Sequence, residues 1–383
     1  MTPPHLVLAG AGHAQLDLLS ALVRQPLAGW DVTLVTPLPA FHYSGMLPAV
    51  IAGLVPADAA SIPVAAIARK AGLRVIESAV TALDAPARLL TLASGARVSF
   101  DLLSLDVGSV PAGSAVPGVL AHAFPMRPFT AALGLMTRLD EAASAMSPGA
   151  TIPAVVVGGG AAGVEVALAV RARILAAGHR PQVTIVDAAA ADGLPLAGFS
   201  PPSRTLALRA LAARDITFVC GDITGVDADA VSVAVNGHER ALASIATAWV
   251  TGSAPSPWLT ASGLACDHAG YPFASDTLAL DAAETVFGGG DCVGLRDAPA
   301  TPKAGVYAVR MAPVLAANVV AVARGNTARA RYTPQRSFLA LLSTSDGRAL
   351  LRWRSVTLES RWAQWLKTRI DERYLRRYRT LPV

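Results

Sequence analysis

The chain has 383 residues, 53% of them hydrophobic and only 15% charged, which supplies apolar material for two packed domains and excludes a disordered chain. The formal charge of +5 divides unevenly, residues 1–330 carrying −3 and the segment from Arg331 onward +8, so the body offers no face for a polyanion and nucleic acid is not an expected partner. Three scattered cysteines (Cys220, Cys266, Cys292) make no disulfide framework and no basic leader precedes the first strand, so the expected location is cytoplasmic.

In chain order, His5–Leu8 predicts a short strand running into Gly10-Ala11-Gly12-His13-Ala14-Gln15. A helix pattern follows, with Leu16, Leu18, Leu19, Leu22 and Val23 on one side. The β-branched run Asp31–Thr36, closed by Pro37, predicts the next strand. Strand, glycine turn, helix and strand form the Rossmann-type unit, which seats a dinucleotide pyrophosphate at the helix N-terminus. Val75–Leu92 and Arg97–Val107 read as strands of an insertion that returns to the first sheet, and Pro111–Pro128 as a crossing to a second domain. The unit then recurs as strand Ala154–Val157, turn Gly158–Gly163, helix Val164–Leu175 and strand Gln182–Val186, ending at Asp187. A return crossing is expected near Thr251–Pro255. A strand from Thr285 then leads into Gly290-Asp291-Cys292, and a helix should open at Pro302-Lys303 and reach about Ala323. The basic segment from Arg331 reads as a separate cap.

Two such units in one chain are far more specific than one. In the first turn Gly10 allows the tight bend and Gly12 the approach of phosphate, but Gln15 replaces the third glycine and Thr36 the acid expected on a ribose. The second turn is complete, with Gly158, Gly160 and Gly163 in register and Asp187 following 24 residues after Gly163. A carboxylate there accepts ribose hydroxyls and repels a 2′-phosphate, so NADH is expected ahead of NADPH. The alternative is a solvated strand-end acid. The histidines lack metal-ligand spacing, no metal site is expected, and no Gly-x-Ser-x-Gly elbow occurs.

The co-linear series GAGHAQ, YSGMLP, VVVGGGAAGVEVA, VTIVD, WVTGSAP, VFGGGDC and PKAGVYAVR resembles the FAD-dependent pyridine nucleotide-disulfide oxidoreductase superfamily over nearly the whole chain. It is most similar to the type II NADH dehydrogenase and sulfide:quinone reductase branch. More narrowly, it resembles the flavoproteins fused to or encoded beside selenide, water dikinase. The resemblance implies an α/β chain with two glutathione reductase-like Rossmann-type domains and a C-terminal cap. The FAD-binding domain would be discontinuous (1–118 and 256–328), the NAD(P)H-binding domain would span 119–255, and the cap 329–383. It assigns Gly10, Gly12, His13, Ala14, Gln15, Thr36, Tyr43, Val80, Gly108, Gly290, Asp291, Pro302, Lys303 and Ala304 to FAD. Gly158, Gly160, Gly163, Asp187 and Gly252 fall to the nicotinamide nucleotide.

Two residues carry catalytic expectations through the same resemblance. Glu165 matches a position beside the nicotinamide, although a first-turn glutamate is also favoured by the helix dipole. Lys303 would add positive charge at the flavin, or is an ordinary surface lysine. No cysteine precedes Cys220, so the Cys-x₄-Cys pair of the disulfide reductases is absent. The expected activity is transfer of hydride from NADH to flavin N5, with electrons passing to a quinone or another small acceptor. The alternatives are a sulfur- or selenium-compound oxidoreductase and a non-catalytic flavin- or nucleotide-binding partner. Finally, Arg361–Arg379 places Trp362, Leu366, Ile370 and Tyr374 on one stripe among arginines. Such a helix either meets an anionic membrane as a peripheral anchor on its inner face or packs on the protein itself or a second subunit.

Overall fold

Two five-stranded parallel sheets carry the two glycine turns. In the computed structural model, which describes residues 2–190 and 192–381, the first sheet runs Val286–Gly288, Leu102–Leu105, His5–Ala9, Asp31–Thr36 and Arg74–Glu77. The second runs Ala123–Pro125, Ala246–Trp249, Thr151–Val157, Arg180–Asp187 and Thr217–Cys220. Met1, Ala191, Pro382 and Val383, which fall within the expected domain and cap spans, lie outside the described residues. All pairings in both sheets are parallel, so their central strands are covered on both faces and read as continuous apolar runs such as Leu6–Ala9 and Ala154–Val157.

The chain leaves the first sheet through Val110–Pro111 and returns through Ser253–Ala254, and these two crossings pair with each other antiparallel. The insertion after Arg74–Glu77 is a three-stranded antiparallel sheet of Val80–Asp84, Leu89–Leu92 and Arg97–Ser99. A further three-stranded sheet, Ala340–Ser343, Ala349–Trp353 and Val356–Ser360, precedes the helix Arg361–Arg379. Ser360 caps that helix by accepting the Ala363 N–H at 3.0 Å.

The cap joins both halves. Leu342 and Leu350 of its sheet belong to the core under the second parallel sheet, while Leu375 and Tyr378 of its helix belong to the core under the first. Arg214, beyond the helix Pro201–Ala212, holds Asp346 and Glu359 of the cap at 2.8 and 2.6 Å. At the other end Arg377 and Tyr378 bond Asp17 at 2.6 and 2.8 Å.

Two helix starts differ from the sequence reading. The helix of the second unit begins at Ala161, not Val164, because Gly163 fits a first turn where any Cβ would lie 1.8 Å from the Gly158 carbonyl oxygen. The helix expected from Pro302 begins at Gly305, since Ala304 is extended and Lys303 is drawn aside to the Val293 carbonyl. This helix, Gly305–Ala323, is long and apolar enough to span a membrane, but it buries Tyr307, Met311, Leu315 and Val319 in the first core.

Candidate functional site

One cavity of about 1960 Å³ extends between the C-terminal ends of the two parallel sheets. That exceeds the roughly 300–1,000 Å³ of an ordinary small-molecule pocket and leaves room for an extended dinucleotide on each wall. Such a crevice at the carboxyl ends of parallel strands is where open α/β sheets bind ligands.

On the first wall lie Gly10, Gly12, His13, Thr36, Tyr43, Val80, Gly108, Gly290, Asp291, Lys303 and Ala304. On the second lie Gly158, Gly160, Gly163, Glu165, Asp187 and Gly252. Space beside Gly108, Gly160 and Gly252 is open, so bare backbone faces the cavity on both walls, a cradle that fits phosphate and ribose groups. Three expected residues do not line it. Ala14 and Gln15 are buried behind the first turn, and the Gln15 side chain turns to Ser104, giving Nε2 to its carbonyl at 3.0 Å and accepting its hydroxyl at 2.7 Å. Pro302 is exposed outside the cavity because the chain is still extended there.

The charged groups are engaged in ways the sequence does not announce. Asp291 Oδ2 accepts Arg127 Nη1 at 3.0 Å, and the same nitrogen reaches the Ser109 hydroxyl at 2.8 Å. Burial raises the Asp291 carboxyl above its usual range, while Arg127 and then Lys303 pull it back. The Lys303 ammonium lies against the Val293 carbonyl and 4.1 Å from the centre of the Tyr271 ring. His13 sits among Phe41, Tyr43 and Tyr374, with ring centres 4.8, 5.8 and 6.1 Å away, and burial holds its imidazole neutral, down at about 4. In the second turn Asp187 accepts the N–H groups of Gly159 and Ala189, both at 3.0 Å.

Glu165 reaches beyond the second turn to the cap. Its carboxylate accepts the Ser343 N–H at 2.8 Å, and burial pushes its pKa up to about 7 against the opposing charge of Lys367. Lys367 Nζ bonds the Gly45 carbonyl at 2.6 Å and Asp371 at 2.9 Å, and Asp371 in turn accepts the Tyr43 hydroxyl at 3.0 Å. All four side chains line the cavity; Tyr43, Asp371 and Lys367 form one bonded chain, and Glu165 stands in the field of Lys367. Arg127, Lys367 and Asp371 were missed in the sequence. Lys367 and Asp371 are spaced i, i+4 on a basic helix, which reads as a surface ion pair.

The C-terminal helix divides its faces differently from the expected Trp stripe. Ala363, Lys367, Asp371, Leu375 and Tyr378 face inward, while Trp362, Trp365 and Ile370 are 58%, 54% and 42% exposed. Trp362, Leu366, Ile370 and Tyr374 border the cavity, with Trp353 and Leu358 of the cap sheet opposite. No cysteine lines the cavity among the described residues, and burial pushes the Cys292 thiol up to about 12.

Comparison with known proteins agrees with this architecture. An NADH dehydrogenase-like protein of Mycobacterium tuberculosis is 29% identical over 247 residues, 62% of this chain and 60% of that protein's length. The sulfide:quinone oxidoreductase of Aquifex aeolicus superposes with a TM-score of 0.79 at 20% identity, covering 98% of this chain and 91% of that one. The NDH2 of Plasmodium falciparum gives a TM-score of 0.77 at 14% identity, with 99% of both chains covered. Residues 4–318 match the pyridine nucleotide-disulphide oxidoreductase family, and the chain belongs to it.

Proposed function

We propose that this protein is an FAD-dependent NADH dehydrogenase that delivers electrons to a quinone or another small lipid-soluble acceptor. The observation that carries the reading is one cavity lined by both glycine turns and by apolar side chains of the cap. FAD, when bound, supplies the two-electron chemistry, and the protein supplies positioning and electrostatics. Gly10, Gly12, Gly108 and Gly290 would hold its backbone-facing groups, with Asp291 toward the ribityl chain. The amino-terminal end of Gly305–Ala323 opens on the cavity, and its positive dipole end favours negative charge there. NADH would lie on Gly158–Gly163, with Asp187 toward the ribose.

Glu165, Lys367, Asp371 and Tyr43 form the group that holds protons beside the reacting centre. A carboxyl poised near neutrality can give or take a proton at working pH. Trp353, Leu358, Trp362 and Ile370 offer an apolar approach for an acceptor arriving from a membrane, flanked by Arg354, Arg361, Arg369 and Arg373. The proposed location is therefore cytoplasmic and peripheral to the membrane. Its relatives' names, an NADH dehydrogenase-like protein among them, support the donor half of this reading.

Anaerobic mixing of the purified protein with NADH tests it. The flavin absorption should bleach rapidly and return when a short-chain quinone is added. Protein that stays oxidised with NADH but bleaches with sulfide would overturn it in favour of chalcogen oxidation.

A further inference from the structure

The two glycine turns are internal repeats, and one position differs between them in a way the fold does not require. In the first unit Gly10 N–H bonds the Val35 carbonyl at 2.8 Å, and Asp106 N–H bonds the Ala9 carbonyl at 2.8 Å. In the second, Gly158 N–H bonds the Val186 carbonyl at 2.7 Å, and Val250 N–H bonds the Val157 carbonyl at 2.8 Å. A Cβ on Gly10 would meet the Asp106 carbonyl oxygen at 2.1 Å, and one on Gly158 would meet that of Val250 at 2.4 Å. Asp106 and Val250 are thus equivalent, and valine is sufficient to build the turn.

The carboxyl of Asp106 is thus an addition to the shared frame, and it bonds the N–H groups of the turn it closes. It is 4% exposed, yet it reaches the cavity wall between the first turn and Gly290. It accepts the Gln15 N–H at 2.8 Å, a donor that also reaches the Gly12 carbonyl at 3.2 Å. A Cβ on Gly12 or on Gly290 would lie 2.5 Å from its oxygen, so both backbones close directly over the acid. A dinucleotide on Gly10–His13 would bring its pyrophosphate against this buried carboxyl, and a second anion beside it disfavours the charged form further.

We propose that Asp106 is a positioning residue for the flavin dinucleotide and that it takes a proton from solvent when the pyrophosphate is seated on the first glycine turn. The inference rests on reading this wall as the FAD site. Protonated, the acid keeps one oxygen for the Gln15 N–H and no longer repels the phosphates. Burial pushes its pKa up to about 7 against the Gln15 and Ala14 N–H groups, which favour the charged form, and the Asp291 charge adds a smaller push in the same direction as burial. The groups that face it are Asp291 and Cys292 from the turn after Val286–Gly288, and Tyr374 from the C-terminal helix. Arg127 and Lys303 lie behind Asp291, and His13 shares the turn. His13 is held down at about 4 and Cys292 up at about 12, so neither changes charge near neutrality.

The test is FAD affinity of the full-length, flavin-stripped protein between about pH 6 and about pH 9, by fluorescence titration and by calorimetry in two buffers of different protonation heat. Wild type should bind more weakly as pH rises, approaching about tenfold per unit above neutrality, and should draw protons from the buffer. Asp106→Asn keeps the acceptor for Gln15 without the charge, and should bind with a flat profile and no proton uptake. Asp106→Val, which copies the second turn, should also be flat. A wild-type affinity without pH dependence, or a slope that persists in Asp106→Asn and vanishes in Asp291→Asn, overturns the assignment to Asp106. Protein that binds no FAD at any pH overturns the reading of the site itself.

Discussion

Arg127 Nη1 lies 3.0 Å from Asp291 Oδ2, a charged contact between the start of the second unit and the closing turn of the first. Arg127 follows the strand Ala123–Pro125 and precedes the helix Phe129–Ala145, whereas Asp291 follows the last strand of the first sheet. The pair counters the burial that raises the Asp291 carboxyl, where the ribityl chain is proposed to lie. Arg127→Met should therefore let Asp291 drift toward its neutral form and lower flavin retention. Because the arginine is 40% exposed, the loss should be modest, about 1 kcal/mol or less. Asp291→Ala, which removes the proposed ligand itself, should cost more. The flavin-to-protein ratio of each purified variant checks the order, and equal ratios in all three proteins would count against it.

Asp187 holds the second turn with both oxygens, through the N–H groups of Gly159 and Ala189, and its outer face lines the cavity. Arg204, on the helix Pro201–Ala212, is committed to Asp192 at 2.6 Å and to the Leu194 and Pro195 carbonyls and does not line the cavity, so it is not placed for a 2′-phosphate. NADH should be preferred. Asp187→Ala should lower kcat/KM for NADH and narrow the gap to NADPH by about 1–3 kcal/mol. Steady-state kinetics with both nucleotides decide it, and an unchanged ratio would mean that Asp187 only braces the turn.

Much of this architecture was legible because its signals are local. Two glycine turns, each between apolar β runs, specify the paired Rossmann-type units, and the spacing from Gly163 to Asp187 puts both residues on one wall of the cavity. What could not be read depends on chain closure. Gln15 and Asp106 are 91 residues apart, and Tyr43 and Asp371 are 328 apart. No periodicity links such positions. The inward face of the C-terminal helix was misjudged for a related reason. Lys367 and Asp371 are polar, so an amphipathic reading turns them to water, yet each has its partner inside. Asp106 alone left a trace, an acid directly after a strand where the repeat has valine.

Glu165 should impose a pH dependence on stability. Its folded pKa, about 7, lies above the ordinary 4.5, so the folded protein binds the extra proton. The stability this group contributes is full below about pH 4.5 and is lost as pH rises through about 7. Glu165→Gln keeps an acceptor for the Ser343 N–H and removes the charge. It should match wild type near pH 5 and exceed it near pH 8, by on the order of 1–3 kcal/mol. Denaturant midpoints at the two pH values measure this. A variant less stable at the higher pH would show that the Lys367 charge outweighs desolvation.

The outward face of the C-terminal helix carries the proposal of membrane contact. Trp365 lies outside the cavity at 54% exposure, with Arg369 placed 5.8 Å from its ring centre, and Trp362 stands at the mouth. An exposed tryptophan beside arginines suits the interface of an anionic bilayer, and burying it there contributes about 1.5–3 kcal/mol, roughly tenfold or more in affinity. Removing the whole helix is not a usable test, because Lys367, Asp371, Leu375 and Tyr378 pack inward and hold the two halves. Trp365→Ser instead changes only the outer face. It should weaken binding to phosphatidylserine-containing vesicles about tenfold, with added salt weakening wild type further, while flavin reduction by NADH stays at the wild-type rate. Co-sedimentation with vesicles at low salt gives the answer. If wild type does not sediment with them, the aromatic edge has another use and the lipid-soluble acceptor loses its physical support.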